Sequence, residues 1–94
     1  MFEIIFKPEA IRQLRKIKRH YARAILDAIA RHLKEEPEKT SRTSIKRLRG
    51  QQDTAFRLRV QDYRIFYDVI EDRVEIVQIL HTSETQAFYR EDKG

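Results

Sequence analysis

The hydrophobic spacing of this chain changes once, and the change divides it into two parts. Between about residues 8 and 36 apolar side chains recur every three or four positions, and from residue 55 they recur every second position. A side-chain period of 3.6 belongs to a helix with one buried face, and a period of two belongs to a strand with one buried face. Helices therefore come first and strands afterwards, which predicts an α+β domain.

The first part opens on Phe-Glu-Ile-Ile-Phe at 2–6, short and partly β-branched, which reads as a strand. Pro8 then stands where a helix begins, since its missing N–H has no partner to lose in the first turn. Ile11, Leu14 and Ile17 form one stripe, with Arg12, Arg15, Lys16, Lys18 and Arg19 elsewhere on the surface, so a helix is expected over about 8–19. A second helix follows on Ala22, Ile25, Ile29 and Leu33 and runs to about Glu36, where Pro37 disfavours helical backbone in the residue before it. Residues 37–54 have the composition of a loop. Three strands follow: Phe56, Leu58 and Val60 alternate with Arg57, Arg59 and Gln61; Tyr63, Ile65, Tyr67 and Val69 alternate with Arg64, Phe66 and Asp68; and Val74–Leu80 is apolar on both faces toward its end. The tail from about Ser83 reads as a short helix or arm. The expected architecture is one domain over 1–94, an antiparallel sheet with an N-terminal α-hairpin on one face, in the order β-α-α-β-β-β with a C-terminal helical tail.

Length and composition agree with a single small domain. The 94 residues are 40% hydrophobic and 37% charged, enough for one core under a densely ionic surface. There is no cysteine, so thiolate chemistry and Cys-based zinc sites are excluded. No run approaches the roughly 20 apolar residues of a membrane helix. Residues 2–6 are too short for a signal peptide, so no membrane association and a cytoplasmic location are expected. Charge is uneven: residues 1–50 hold 14 Lys/Arg against 6 Asp/Glu, a balance of +8, and residues 51–94 hold 6 against 9, a balance of −3. A basic half of this kind fits a polyanionic partner, nucleic acid first, although solvated helix surfaces are also rich in lysine and arginine.

Strand register turns the alternation into a candidate site. With Gln61-Asp62 as a two-residue turn, Val60 faces Tyr63, Leu58 faces Ile65 and Phe56 faces Tyr67, all toward the helices. On the opposite face Arg59 stands across from Arg64 and Arg57 across from Phe66. Like charges directly opposed destabilise a sheet, so stability alone does not account for that pairing. A second turn at Glu71-Asp72 sets Val69 against Val74 and Tyr67 against Ile76. Continued without interruption, it sets Phe66 against Val77 and Arg64 against Ile79, with His81 on the same side as Arg64. The face then presents Arg57, Arg59, Arg64 and His81 around Phe66, Val77 and Ile79, a cationic patch suited to phosphates beside a stacked base. Against this stand the facts that strand arginines are common on solvated faces, that Asp68 and Glu75 share this face, and that a lone histidine at a strand end is usually a packing residue. Lys46, Arg47 and Arg49 form a second cationic cluster ending on Gly50.

Other chemistries find no support. Glycines at 50 and 94 cannot form a phosphate-cradling loop. Histidines at 20, 32 and 81 lack metal-ligand spacing, and no cofactor is expected.

Lys46-Arg47-Leu48-Arg49-Gly50, Phe56-Arg57-Leu58-Arg59-Val60 and Asp62-Tyr63-Arg64-Ile65-Phe66-Tyr67 together resemble the RelE/ParE superfamily of toxins from type II toxin–antitoxin modules. The resemblance covers nearly the whole chain. RelE-like members cleave mRNA on the ribosome, without metal, by attack of a ribose 2′-OH on the adjacent phosphate. The resemblance implies catalytic roles for Arg57, Arg59 and Arg64 and matches Tyr89 to the C-terminal tyrosine. Nucleic-acid contacts are expected of Phe66 from the register and, with a weaker claim because loop cations are usually only solvated, of Lys46, Arg47 and Arg49; the resemblance implies ribosome, mRNA and a cognate antitoxin as partners in a hetero-oligomer. Two departures stand out. Arginines occupy the positions where well-studied members carry lysines, and arginine does not give up its proton. Thr82-Ser83-Glu84 stands where an arginine is usual. His81 is then expected as the acid/base residue, because histidine titrates near neutral pH. The alternatives are a ParE-like gyrase inhibitor and a catalytically weakened nucleic-acid-binding homologue.

Overall fold

The computed structural model describes residues 1–50 and 54–85. In chain order the elements are β1 (Glu3–Phe6), α1 (Pro8–Arg15), α2 (Arg19–Leu33), β2 (Ile45–Arg47), β3 (Phe56–Val60), β4 (Tyr63–Ile70), β5 (Arg73–His81) and a one-turn 3-10 helix at Thr82–Glu84. The expected α+β arrangement is present, with both helices before the main strands. The five strands form one sheet in the order β1-β5-β4-β3-β2.

Two features depart from expectation. The sheet is mixed, because β1 pairs parallel to β5, Glu3 with Arg73 through Phe6 with Ile76. The α-hairpin carries the chain back so that β1 and β5 run the same way, and apolar spacing does not encode which edge a short strand joins. The segment read as a loop also contains a strand. Ile45–Arg47 pairs antiparallel with β3, and Ile45 is buried opposite Leu58. Three residues are too few for alternation to register.

The helices are shorter than their apolar stripes. α1 ends at Arg15, where the Lys16 N–H turns back to the Gln13 carbonyl, although Ile17 still packs against the core. α2 ends at Leu33, and Pro37 beyond it is fully buried. Ile25, Leu33, Leu58, Ile65, Tyr67, Val74 and Ile76 fill the space between helices and sheet. Each such side chain contributes about 1.5–3 kcal/mol on burial.

Both hairpins have two-residue turns, and their first residues, Gln61 (φ 55°) and Glu71 (φ 57°), take left-handed backbone. The β3–β4 register matches the sequence expectation at all five pairs. Beyond the second turn, Val69–Val74 and Tyr67–Ile76 also match, but a bulge at Phe66/Tyr67 then shifts the register. Phe66 pairs with Gln78, Arg64 with Leu80 and Tyr63 with His81, and Val77 is the extra residue. Where β1 has ended, Gln13 of α1 serves in place of a strand. Its Oε1 accepts from the Ile79 N–H at 2.6 Å, and its Nε2 donates to Gln78 Oε1 at 2.7 Å.

The buried Tyr67 hydroxyl donates to the Pro37 carbonyl at 2.6 Å and anchors the segment that leads into β2. Burial first, and the negative charge of Glu38 second, push its pKa above the ordinary 10.0 against the opposing pull of Arg57. Tyr67→Phe leaves that carbonyl unpaired and is expected to lower stability by about 1–2 kcal/mol in urea unfolding. The unfolded chain ionises this tyrosine near pH 10 and the folded chain only at higher pH. Its contribution is therefore complete below about pH 10 and is lost as pH rises beyond it, a decline that Tyr67→Phe should reduce.

Candidate functional site

Cross-strand pairing assembles the site on the face opposite the helices. Lys46 of β2 stands beside Arg57 of β3, which stands beside Phe66 of β4. One step along the sheet, Arg59 stands beside Arg64. Residues directly opposed share a face, so Lys46, Arg57, Arg59 and Arg64 lie together. Lys46 and Arg59 are exposed, and Arg57 and Arg64 are half-buried.

The nearby carboxylates are committed elsewhere. Asp68 accepts from the Ala55 N–H at 2.7 Å. Glu75 bonds Arg73 Nε at 3.0 Å and approaches Lys7 Nζ at 3.9 Å. Among the described residues neither pairs with Arg57, whose Nε–H is buried and without an acceptor. A buried donor in that state costs about 1–3 kcal/mol, and an anion at this guanidinium is the ligand type that relieves it. Arg64 is steered by its own hairpin: its Nη1 donates to the carbonyls of Gln61 and Tyr63, both at 3.0 Å. That curl draws the charge toward the turn and eases the contact with Arg59.

Several expected members lie elsewhere. The bulge turns His81 to the helix side, opposite Tyr63, where its ring meets Tyr63 edge-on at 5.3 Å. There it caps the 3-10 helix: Nδ1 accepts from the Ser83 N–H at 3.1 Å, and its own backbone N–H donates to Glu84 Oε1 at 2.9 Å. The same shift turns Ile79 into the helix-side core. Phe66 keeps its expected position beside Arg57 but is fully buried. The Lys46-Arg47-Arg49 cluster is split by strand alternation. Arg47 faces away from Lys46, its guanidinium 5.1 Å over the Phe56 ring, while Arg49 is exposed beyond the end of β2. Tyr89 lies outside the described residues. Lys46 lies on the strand β2 beside Arg57 and not in a loop, a placement that a three-residue strand leaves unmarked in the sequence.

This sheet, with its cationic face, can be set beside known proteins. A family model for the ParE toxin of the type II toxin–antitoxin system parDE matches residues 4–86. The chain belongs to the ParE toxin family. The resemblance to RelE/ParE toxins read from residues 46–67 is thereby borne out. Among solved structures, the RelBE2 toxin–antitoxin complex of Mycobacterium tuberculosis matches with a TM-score of 0.71 and 25% identity over 85% of this chain and 96% of that one. The RelE–RelB complex of Pyrococcus horikoshii gives 0.71 and 20% over 88% and 97%. The RelB–RelE complex of Methanococcus jannaschii gives 0.68 and 20% over 90% and 98%. The latter two show a shared fold. A search of curated protein sequences gave no significant match. The chain is a toxin of a type II toxin–antitoxin system. No helix among the described residues is long and apolar enough to cross a membrane.

The opposed arginines give a direct test of how this toxin face is built. Arg59→Gln removes the like-charge contact with Arg64 and should raise stability by about 0.2–1 kcal/mol. Thermal unfolding should show a larger gain at low salt than at high salt, because the contact is screened.

Proposed function

We propose that this toxin inhibits translation by metal-independent cleavage of mRNA on the ribosome, with Arg57, Arg59 and Arg64 acting on the scissile phosphate. The observation that carries the reading is the cationic face itself. Three arginines and Lys46 are gathered by cross-strand pairing, and the Arg57 Nε–H has no acceptor among the described residues. In the reaction a ribose 2′-oxygen forms a bond to the adjacent phosphorus, the bond from phosphorus to the 5′-oxygen breaks, and a 2′,3′-cyclic phosphate and a 5′-hydroxyl result. One proton leaves the 2′-hydroxyl and one joins the leaving 5′-oxygen. The arginines stabilise the added negative charge of the pentacoordinate phosphorus. They do not exchange protons. His81 is on the other side of the sheet, so proton transfer falls to Tyr89, matched by resemblance to the family's C-terminal tyrosine, or to solvent.

A cognate antitoxin is the natural cover for such a face. The three RelE neighbours named above were each solved with RelB. By that likeness this chain forms a hetero-oligomer in which an acidic segment neutralises Arg57, Arg59 and Arg64. A second reading, inhibition of DNA gyrase without nuclease chemistry, draws on the family match to ParE and on the lack of a titratable histidine beside the arginines.

Primer extension on translated mRNA after induction separates the two. Discrete new 5′ ends that vanish with Arg57→Ala or Arg64→Ala support cleavage, and each substitution should cost about 10²–10³-fold in rate. His81→Gln should leave the single-turnover rate at saturating RNA close to wild type, because its ring is on the face opposite the arginines and takes no part in the proton transfer. Growth arrest with intact mRNA and inhibited DNA supercoiling would establish the gyrase reading instead.

A further inference from the structure

A cleft of about 610 Å³ opens on the helix side of the sheet, lined by Lys16, Lys18, Tyr21, Tyr63, His81 and Ser83 among others. A run of aromatic rings leads into it. Centroid separations are 4.0 Å for His20–Tyr21, 5.9 Å for Tyr21–Tyr63 and 5.3 Å for Tyr63–His81. Tyr21, toward the mouth, is 37% exposed.

The charges on its walls are not equivalent. Glu9 is ion-paired with Arg12, and the Glu84 carboxylate accepts from the His81 backbone N–H. Among the described residues neither Lys16 nor Lys18 has an ion-pair partner. His81 Nδ1 accepts from the Ser83 N–H, so the ring proton sits on Nε2 and makes that nitrogen a donor. The lining therefore offers ring faces, two ammonium groups and an N–H donor. A flat base with a phosphate attached uses all three. An acidic peptide uses only the cations.

The cleft adjoins the cationic face around one end of the sheet. Tyr63 and Arg64 are consecutive strand residues and point to opposite faces. The Thr82 N–H bonds the Asp62 carbonyl at 2.8 Å and ties the end of β5 to the β3–β4 turn. A strand held on Arg59 and Arg64 can continue round this end and reach the cleft beside Tyr21.

We propose that the cleft is a second nucleotide subsite, which stacks a base of the same RNA strand on Tyr21 and holds its phosphate on Lys16 and Lys18. This rests on the nuclease reading and extends it from the scissile phosphate to a flanking nucleotide.

The test is fluorescence anisotropy of the full chain with a labelled single-stranded RNA of about eight nucleotides, 2′-O-methylated so that it cannot be cleaved. Tyr21→Ala should weaken binding about tenfold, within the roughly 5- to 150-fold expected for one lost stacked base. Tyr21→Phe should restore it. Lys16→Ala or Lys18→Ala should weaken binding and flatten its salt dependence. With 5-iodouridine in the RNA, cross-links should map to Tyr21 or Tyr63. If these variants bind as tightly as wild type while Arg59→Ala binds weakly, the subsite is refuted and the nuclease reading stands. If neither set alters binding, both fall. A Tyr21→Ala protein that keeps its RNA affinity but loses affinity for the antitoxin assigns the cleft to a protein partner and overturns the proposal.

Discussion

The pairing of β3 with β4 governs both stability and chemistry in this fold. Leu58 opposite Ile65 and Phe56 opposite Tyr67 commit one face of the hairpin to the core. A period of two then sends Arg57, Arg59 and Arg64 to the other face. A slip of β3 by one residue would drive the guanidinium groups of Arg57 and Arg59 under the helices, at several kcal/mol for each unpaired charge. Against that penalty the repulsion between Arg59 and Arg64 is small, and Arg64 lessens it by folding onto the carbonyls of Gln61 and Tyr63. The core thus holds in place a charge arrangement that the surface alone would not choose.

The same hairpin was the most legible part of the sequence. Its alternation is unbroken on both strands, and its turn is fixed by the residues left between them. Legibility ended at Phe66/Tyr67. A bulge adds one residue of backbone and leaves no mark in composition here: Val77 is apolar, fits either face, and no glycine signals the irregularity. One unpaired residue was enough to carry His81 from the arginine face to the helix face and Ile79 from surface to core. The expected place of His81 among the arginines was lost for that reason and not because the residue type was misjudged.

The remaining differences come from contacts that span long stretches of chain. β2 is held by Ile45 against Leu58 and approached through the Tyr67–Pro37 hydrogen bond, neither of which a local window can reveal. β1 finds its place through a parallel ladder with β5. The helices, by contrast, were visible in their spacing, and only their ends moved, to Arg15 and Leu33.

That parallel ladder has a consequence for how the protein comes into being. Glu3 meets Arg73, so the first strand made is among the last to find its partner. Contacts between such distant points in a chain form slowly, because a long loop must close before they add stability. During synthesis the helices assemble early, but β3, β4 and β5 emerge late, and the arginine face exists only once they have zipped together. That face is therefore absent until most of the chain has left the ribosome. In the interval its unpaired strands are open to any partner already present in the cell.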